Sequence, residues 1–99
     1  MKKKVAILGS TGSIGKTLID ILKKDKKNFE IVLLSADENY KELIKQAKLF
    51  KVKNLIIKNQ KSFQKIKKSK ITRNINIYND FNNLDKIFKK KIFYTMSAI

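Results

Sequence analysis

The residues of this chain whose types and spacing could do chemistry are its glycines. Gly9, Gly12 and Gly15 are the only three in 99 residues, where an average composition would supply about 7%. They stand three apart in the run Gly9-Ser-Thr-Gly-Ser-Ile-Gly15. A sequence this poor in glycine that gathers all of it in one turn needs each for its backbone. In a strand-to-helix turn the first glycine permits a tight exit from the strand. The second lets the main chain approach a pyrophosphate with no Cβ between, and the third lets helix and strand pack closely, with N–H groups and the helix dipole facing the anion. Thr11 and Ser13 add hydroxyl donors. Such glycines can also serve geometry alone, and it is the context that favours a dinucleotide: a buried strand before the turn, an amphipathic helix after it, and a βαβ unit around it. A P-loop does not fit, because two residues rather than four separate Gly12 from Gly15-Lys16-Thr17.

At the end of the second strand a dinucleotide fold reads the adenosine ribose, an acid favouring the free 2′-hydroxyl and a cation the 2′-phosphate. Asp37, Glu38 and Asn39 occupy that place, with Lys41 close behind. The two acids repel a 2′-phosphate and the lysines offset them, so the chemistry leaves NAD and NADP both open. Asn39 also suits a helix N-cap, and a cap can present its amide to the ribose.

The elements that must position these residues follow from hydrophobic spacing. Lys4–Leu8 reads as a strand buried on both faces. From Ser13 a helix follows, with Ile14, Leu18, Ile21 and Leu22 inward and Lys16, Asp20, Lys23 and Lys24 outward. Glu30–Ser35 is a second buried strand. Asn39 and Glu42 resemble a capping box, opening a helix that carries Leu43, Ala47 and Phe50. Leu55–Ile57 is a third strand, Asn59–Lys68 a weakly patterned helix around Phe63 and Ile66, and Ile71–Ile77 an outermost edge strand with one wet face. Asp80 caps a helix with Phe81, Leu84, Ile87 and Phe88 inward, and Lys91–Met96 is a last strand. Alternation at this spacing implies right-handed crossovers and an α/β, Rossmann-like, doubly wound and mainly parallel sheet, with helices on both faces.

Composition excludes much else. With no cysteine, histidine, proline or tryptophan, there is no disulfide, no Cys/His metal site, no thiol catalysis and no Ser-His-Asp triad. The apolar run after Lys2–Lys4 is too short for a signal peptide, and no stretch of about 18 apolar residues could span a membrane. The chain is read as cytoplasmic, with no membrane partner. Its formal charge of +16 invites a nucleic-acid hypothesis. The cations, however, are 23 lysines and a single Arg73 spread over every segment, and Lys, Ile and Asn make up 47 of the 99 residues. That is a compositional skew rather than a binding groove, and lysine lacks the planar fork that reads bases. A small basic nucleic-acid-binding module is therefore the lesser alternative, as is another GxxGxxG dehydrogenase of the aspartate-semialdehyde type.

Val5-Ala-Ile-Leu-Gly-Ser-Thr-Gly-Ser-Ile-Gly15 resembles the opening of the 1-deoxy-D-xylulose 5-phosphate reductoisomerase family. Ser35-Ala-Asp-Glu-Asn-Tyr40 with Leu43, Gln46-Ala47 and Phe50 resembles that family's segment after the second strand, and Met96–Ile99 its strand leading to another glycine. The resemblance implies NADPH as cofactor, contacted by Thr11, Gly12, Ser13, Ile14, Asp37, Glu38 and Asn39, beside the turn glycines Gly9 and Gly15 read from their spacing, although the family often carries Gly-Lys or a similar pair where this chain has Asp37-Glu38. It further implies a divalent metal, Mg or Mn, a sugar phosphate substrate, a homodimer, and conversion of 1-deoxy-D-xylulose 5-phosphate to 2-C-methyl-D-erythritol 4-phosphate in isoprenoid biosynthesis. The family's metal and catalytic residues lie in a domain that follows this one. The eight acids here are Asp20, Asp25, Glu30, Asp37, Glu38, Glu42, Asp80 and Asp85, and their places on helix faces and loops converge on no metal site. Residues 1–99 are accordingly expected to be an incomplete N-terminal dinucleotide-binding domain without the metal-binding and C-terminal domains, supplying cofactor contacts but no catalytic or metal ligand and inactive alone.

Overall fold

The computed structural model describes residues 3–68, 74–82 and 94–97. The chain runs β1 (Lys3–Leu8), α1 (Ser13–Lys23), β2 (Phe29–Ala36), α2 (Tyr40–Phe50), β3 (Asn54–Ile57), α3 (Gln60–Lys67), β4 (Asn76–Tyr78) and β5 (Tyr94–Ser97). All strands are parallel, in the order β4-β3-β2-β1-β5. The order steps outward from β1 through β4 and then returns past β1 to β5, so the switch in direction falls beside the glycine turn. In open α/β sheets such a reversal opens a crevice at the carboxyl ends of the strands.

The sheet is buried on two sides. Val5, Ile7, Ile31, Leu34, Ala36, Leu55 and Ile57 face a core completed by Ile19 and Leu22 of α1, Leu43 and Ala47 of α2, and Ile66 of α3. Ala6, Leu33 and Ile56 face the other way, against Leu8, Val32, Tyr78 and Phe81. An irregularity in the β1–β2 pairing makes this possible: Val5 pairs with Ile31 but Ala6 with Leu33. The extra residue, Val32, lets two successive side chains take the same side, so Ile31 and Leu34 both stay under the helices.

Helix ends follow local chemistry. Asn39 Oδ1 accepts the Glu42 N–H at 3.3 Å and Asn59 Oδ1 the Ser62 N–H at 3.0 Å, capping α2 and α3. Only half of the expected box forms at α2, because the Glu42 carboxylate turns to Lys16 of α1, 4.0 Å away. The weakly patterned 59–68 segment is helical, as its spacing suggests, and β4 lies outermost as expected of an edge strand. Parts of three expected elements lie outside the described residues: the start of the Ile71–Ile77 strand, most of the helix after Asp80 and the start of the last strand. All three described helices pack on one face, and the helix expected after Asp80 lies largely outside the described residues. No helix among the described residues is long and apolar enough to cross a membrane.

The inward face of α1 differs from its hydrophobic pattern. Ile14 and Ile21 are 63% and 58% exposed, while Gly15, Ile19 and Leu22 are buried and Leu18 is half-buried. Seating Gly15 against the turn rotates the helix, and Ile14 and Ile21, seven residues apart and on one stripe, are carried outward together. Ile19→Ala should therefore cost about 3 kcal/mol of unfolding free energy and Ile21→Ala under about 0.5 kcal/mol, as read by urea denaturation. Equal losses would refute this rotation.

Candidate functional site at the carboxyl edge of the sheet

The turn between β1 and α1 is fixed by two separate constraints. Gly9 has φ 76°, in the left-handed region that costs any other residue strain. A Cβ on Gly15 would lie against the Gly9 carbonyl oxygen and within 2.6 Å of Ser10 main-chain atoms, so only glycine lets α1 reach this close. A Cβ on Gly12 would come no nearer than 3.7 Å to Gly9 O, an ordinary contact. Gly12 is exposed, and nothing among the described residues requires a glycine there. Its missing side chain leaves clearance on the solvent side, where an external group would approach.

Gly12 is also the N-cap of α1, with extended φ and ψ, no side-chain cap and no acid in the first turn. The first-turn N–H groups of a helix lack intrahelical partners. At α2 and α3 an asparagine takes one of them; at α1 no side chain does, and the positive end of the dipole meets solvent between Thr11 and Ser13. The Ser13 carbonyl accepts the Thr17 hydroxyl at 3.0 Å. The arrangement can receive an anion.

Three residues with no role in the sequence reading hold the turn in place. Ser35 Oγ accepts the Gly9 N–H at 3.0 Å, and Ser35 O accepts the Ser10 N–H at 2.9 Å and the Ser10 hydroxyl at 3.4 Å. Gln46 reaches from α2 and donates Nε2 to Ser10 O at 2.9 Å. Ser10, Ser35 and Gln46 are buried, and Gln46 Oε1 has no hydrogen-bond partner among the described residues. A glutamine on the otherwise apolar inward face of α2, beside Leu43 and Ala47, is the available signal, since a buried group of this kind requires a partner.

Along the same edge the strand ends are laced together. Lys58 N–H donates to Ala36 O at 3.1 Å and Asn59 N–H to Asp37 O at 2.7 Å. Asn79 Nδ2 donates to Ile57 O at 2.8 Å and Lys58 O at 3.2 Å. Asp37, Glu38 and Asn39 are exposed after β2, one strand over from the glycine turn. The structure thus brings Gly9, Thr11, Gly12, Ser13, Ile14 and Gly15 to one turn and Asp37, Glu38 and Asn39 to the adjacent one, with exposed Ile14 flanking the α1 N-terminus.

Elsewhere, a groove of about 690 Å³ between α1 and α2 is lined by Lys16, Lys23, Lys41, Lys45 and Lys48, interrupted by Asp20 and Glu42. Among the described residues no three His, Cys, Asp or Glu side chains stand close enough to hold a metal ion. Asp85 lies outside them.

A family model for 1-deoxy-D-xylulose 5-phosphate reductoisomerase matches residues 5–99. The chain belongs to this family. A reductoisomerase of Pelagibacter ubique (strain HTCC1062) is 50% identical over 99 residues, covering 98% of this chain and 26% of that protein. One of Wolbachia sp. subsp. Drosophila simulans (strain wRi) is 39% identical over 75 residues, covering 76% and 19%. The chain therefore spans about a quarter or less of the curated reductoisomerases it matches. In fold it is similar to the reductoisomerase from Zymomonas mobilis in complex with NADPH, with TM-score 0.86, 24% identity and coverage of 100% of this chain and 26% of that one. A reductoisomerase in complex with NADPH, fosmidomycin and magnesium superposes with TM-score 0.84 at 22% identity, covering 98% and 24%. These solved reductoisomerases share the five-stranded parallel architecture described above.

Because a Cβ at residue 15 meets main chain and one at residue 12 meets solvent, Gly15→Ala should destabilise the fold by at least about 2 kcal/mol and Gly12→Ala by under about 1 kcal/mol. Equilibrium denaturation of the two variants checks this, and the reverse order would contradict the turn geometry.

Proposed function

We propose that the chain is the NADPH-binding part of a 1-deoxy-D-xylulose 5-phosphate reductoisomerase, an oxidoreductase that converts 1-deoxy-D-xylulose 5-phosphate to 2-C-methyl-D-erythritol 4-phosphate for isoprenoid biosynthesis. The observation that carries this reading is the glycine turn of a chain belonging to that family: Gly9 and Gly15 are demanded by the protein's own backbone, whereas Gly12 is not and leaves room for a ligand. The uncapped N-terminus of α1 supports the placement of the cofactor's pyrophosphate over residues 11–15, with Gly9 and Gly15 shaping the turn. Asp37, Glu38 and Asn39 then border the adenosine ribose. NADPH brings the hydride; the chain's share is to bind and orient it, by backbone N–H donors at the turn and by side chains at the ribose.

The same reading takes a sugar phosphate as substrate of the whole enzyme, a homodimer as its assembly and the cytoplasm as its location. A divalent metal belongs to the family's reaction, yet the described residues offer no ligand set for one. Residues 1–99 accordingly act as an N-terminal cofactor-binding domain in this proposal, and no catalytic residue is assigned to them.

Titration of the chain at physiological salt should show tighter binding of NADPH than of an equal concentration of single-stranded oligonucleotide, and the reverse order would overturn the cofactor reading. Gly12→Val should abolish NADPH binding while leaving the helical circular dichroism intact, because its side chain fills the approach and not the core. Unchanged affinity in that variant would remove the glycine turn from the site.

A further inference from the structure

A 2′-phosphate bound beside the turn after β2 would meet Asp37 and Glu38, the only two adjacent acids in the sequence. Like charges at that distance disfavour the phosphorylated cofactor, so a cation must answer them if NADPH is the ligand. Among the described residues neither acid is ion-paired, the one ion pair being Lys16 with Glu42. The lysines near the turn in sequence or in space are therefore the candidates, and the sheet separates them.

The pairing of β2 with β3 runs Leu34↔Leu55, Ser35↔Ile56 and Ala36↔Ile57. One step further, Asp37 falls beside Lys58. Ile56 faces away from the three helices, and alternation carries Lys58, two residues on, to the same side, along with Asp37 two residues beyond Ile56's partner Ser35. The main chain at this point is held from both neighbours: Lys58 N–H bonds to Ala36 O, Asn59 N–H to Asp37 O, and Asn79 holds the Ile57 and Lys58 carbonyls. The Lys58 side chain is exposed, with its ammonium 5.1 Å from the centre of the Phe81 ring. A lysine stem is long enough to bridge the spacing of about 4.8 Å between adjacent strands, so this ammonium reaches a group bound over Asp37. Asn59 has no such freedom, because its side chain caps α3. Lys41, nearer in sequence, lines the groove between α1 and α2 instead.

The geometry points to Lys58 as the specificity-determining cation of the cofactor site, an ammonium supplied from the end of β3 that offsets Asp37 and Glu38 and pairs with the 2′-phosphate of NADPH. This assignment rests on the cofactor reading given above. It moves phosphate selection from the strand that normally carries it to the next one.

The test is titration of the whole 99-residue chain and its K58A, K58R and K41A variants with NADPH and NADH at one salt concentration. Wild type should prefer NADPH, and K58A should lose about tenfold in NADPH affinity, the scale of one charge-assisted hydrogen bond at an exposed site, with NADH affinity unchanged. K58R should retain the preference and K41A should bind both dinucleotides as wild type does. Equal losses of NADPH affinity in K58A and K41A would overturn the assignment in favour of a diffuse lysine field. So would a parallel loss of both dinucleotides in K58A, or a wild-type preference for NADH. Wild type binding neither dinucleotide would overturn the cofactor reading itself, and Lys58's role with it.

Discussion

Gly15 sits where a Cβ would collide with the main chain of Gly9 and Ser10, and the rest of the site depends on that contact. It brings the first turn of α1 onto the end of β1, which no other residue type would allow. It fixes the rotation of the helix, sending Ile19 and Leu22 into the core and Ile14 and Ile21 out to solvent. The positive end of the helix then stands over the reversal in strand order between β2 and β5, where an α/β sheet opens its crevice. The packing of α1 and the position of its N-terminus are two consequences of one missing methyl group.

A turn so placed still has to be held still. A backbone loop with dangling polar groups would be mobile, and the buried hydrogen bonds from Ser35 and Gln46 supply the restraint. They tie the glycine turn to β2 and α2, while Lys58, Asn59 and Asn79 continue the lacing to β3 and β4. The carboxyl edge thus behaves as one rigid rim, and a ligand lying along it would pay little in ordering the protein.

Much of this was legible in the sequence, and what was not has physical reasons. Continuous apolar runs such as Val5–Leu8 and Ile31–Leu34 declare strands buried on both faces, and Asn39 and Asn59 declare helix starts by their capping chemistry. The glycine spacing marked the turn, and the following elements gave it meaning. The rotation of α1 is not legible in the sequence because Ile14, Leu18, Ile21 and Leu22 form a plausible apolar stripe by themselves; the observed stripe is set by the contact of Gly15 with Gly9 and Ser10, which hydropathy does not encode. The irregular pairing at Val32 escaped for a similar reason, since a continuous apolar run has no polar residue to reveal a change of face. The roles of Ser35 and Gln46 are not legible in the sequence, because a polar side chain shows its partner only when the fold brings the two together. The neighbourhood of Asp37 and Lys58 likewise depends on the register between β2 and β3, whose paired residues stand 21 apart in sequence.

The charge of +16 has a modest part in this account. Its lysines are scattered over β1, the three described helices and the connections between elements, some with structural partners, as where Lys26 donates to Leu49 O at the end of α2. A scattered field of this kind attracts anions without placing them; in the proposed reading, placement falls to the turn. The most direct test is a titration of the isotopically labelled chain with NADPH, followed through its backbone amide resonances. The account expects the largest shifts at residues 9–15 and 37–39, with the lysine-rich α1–α2 groove little affected. Shifts spread across the lysines of α1, α2 and α3, with the glycine turn silent, would contradict it.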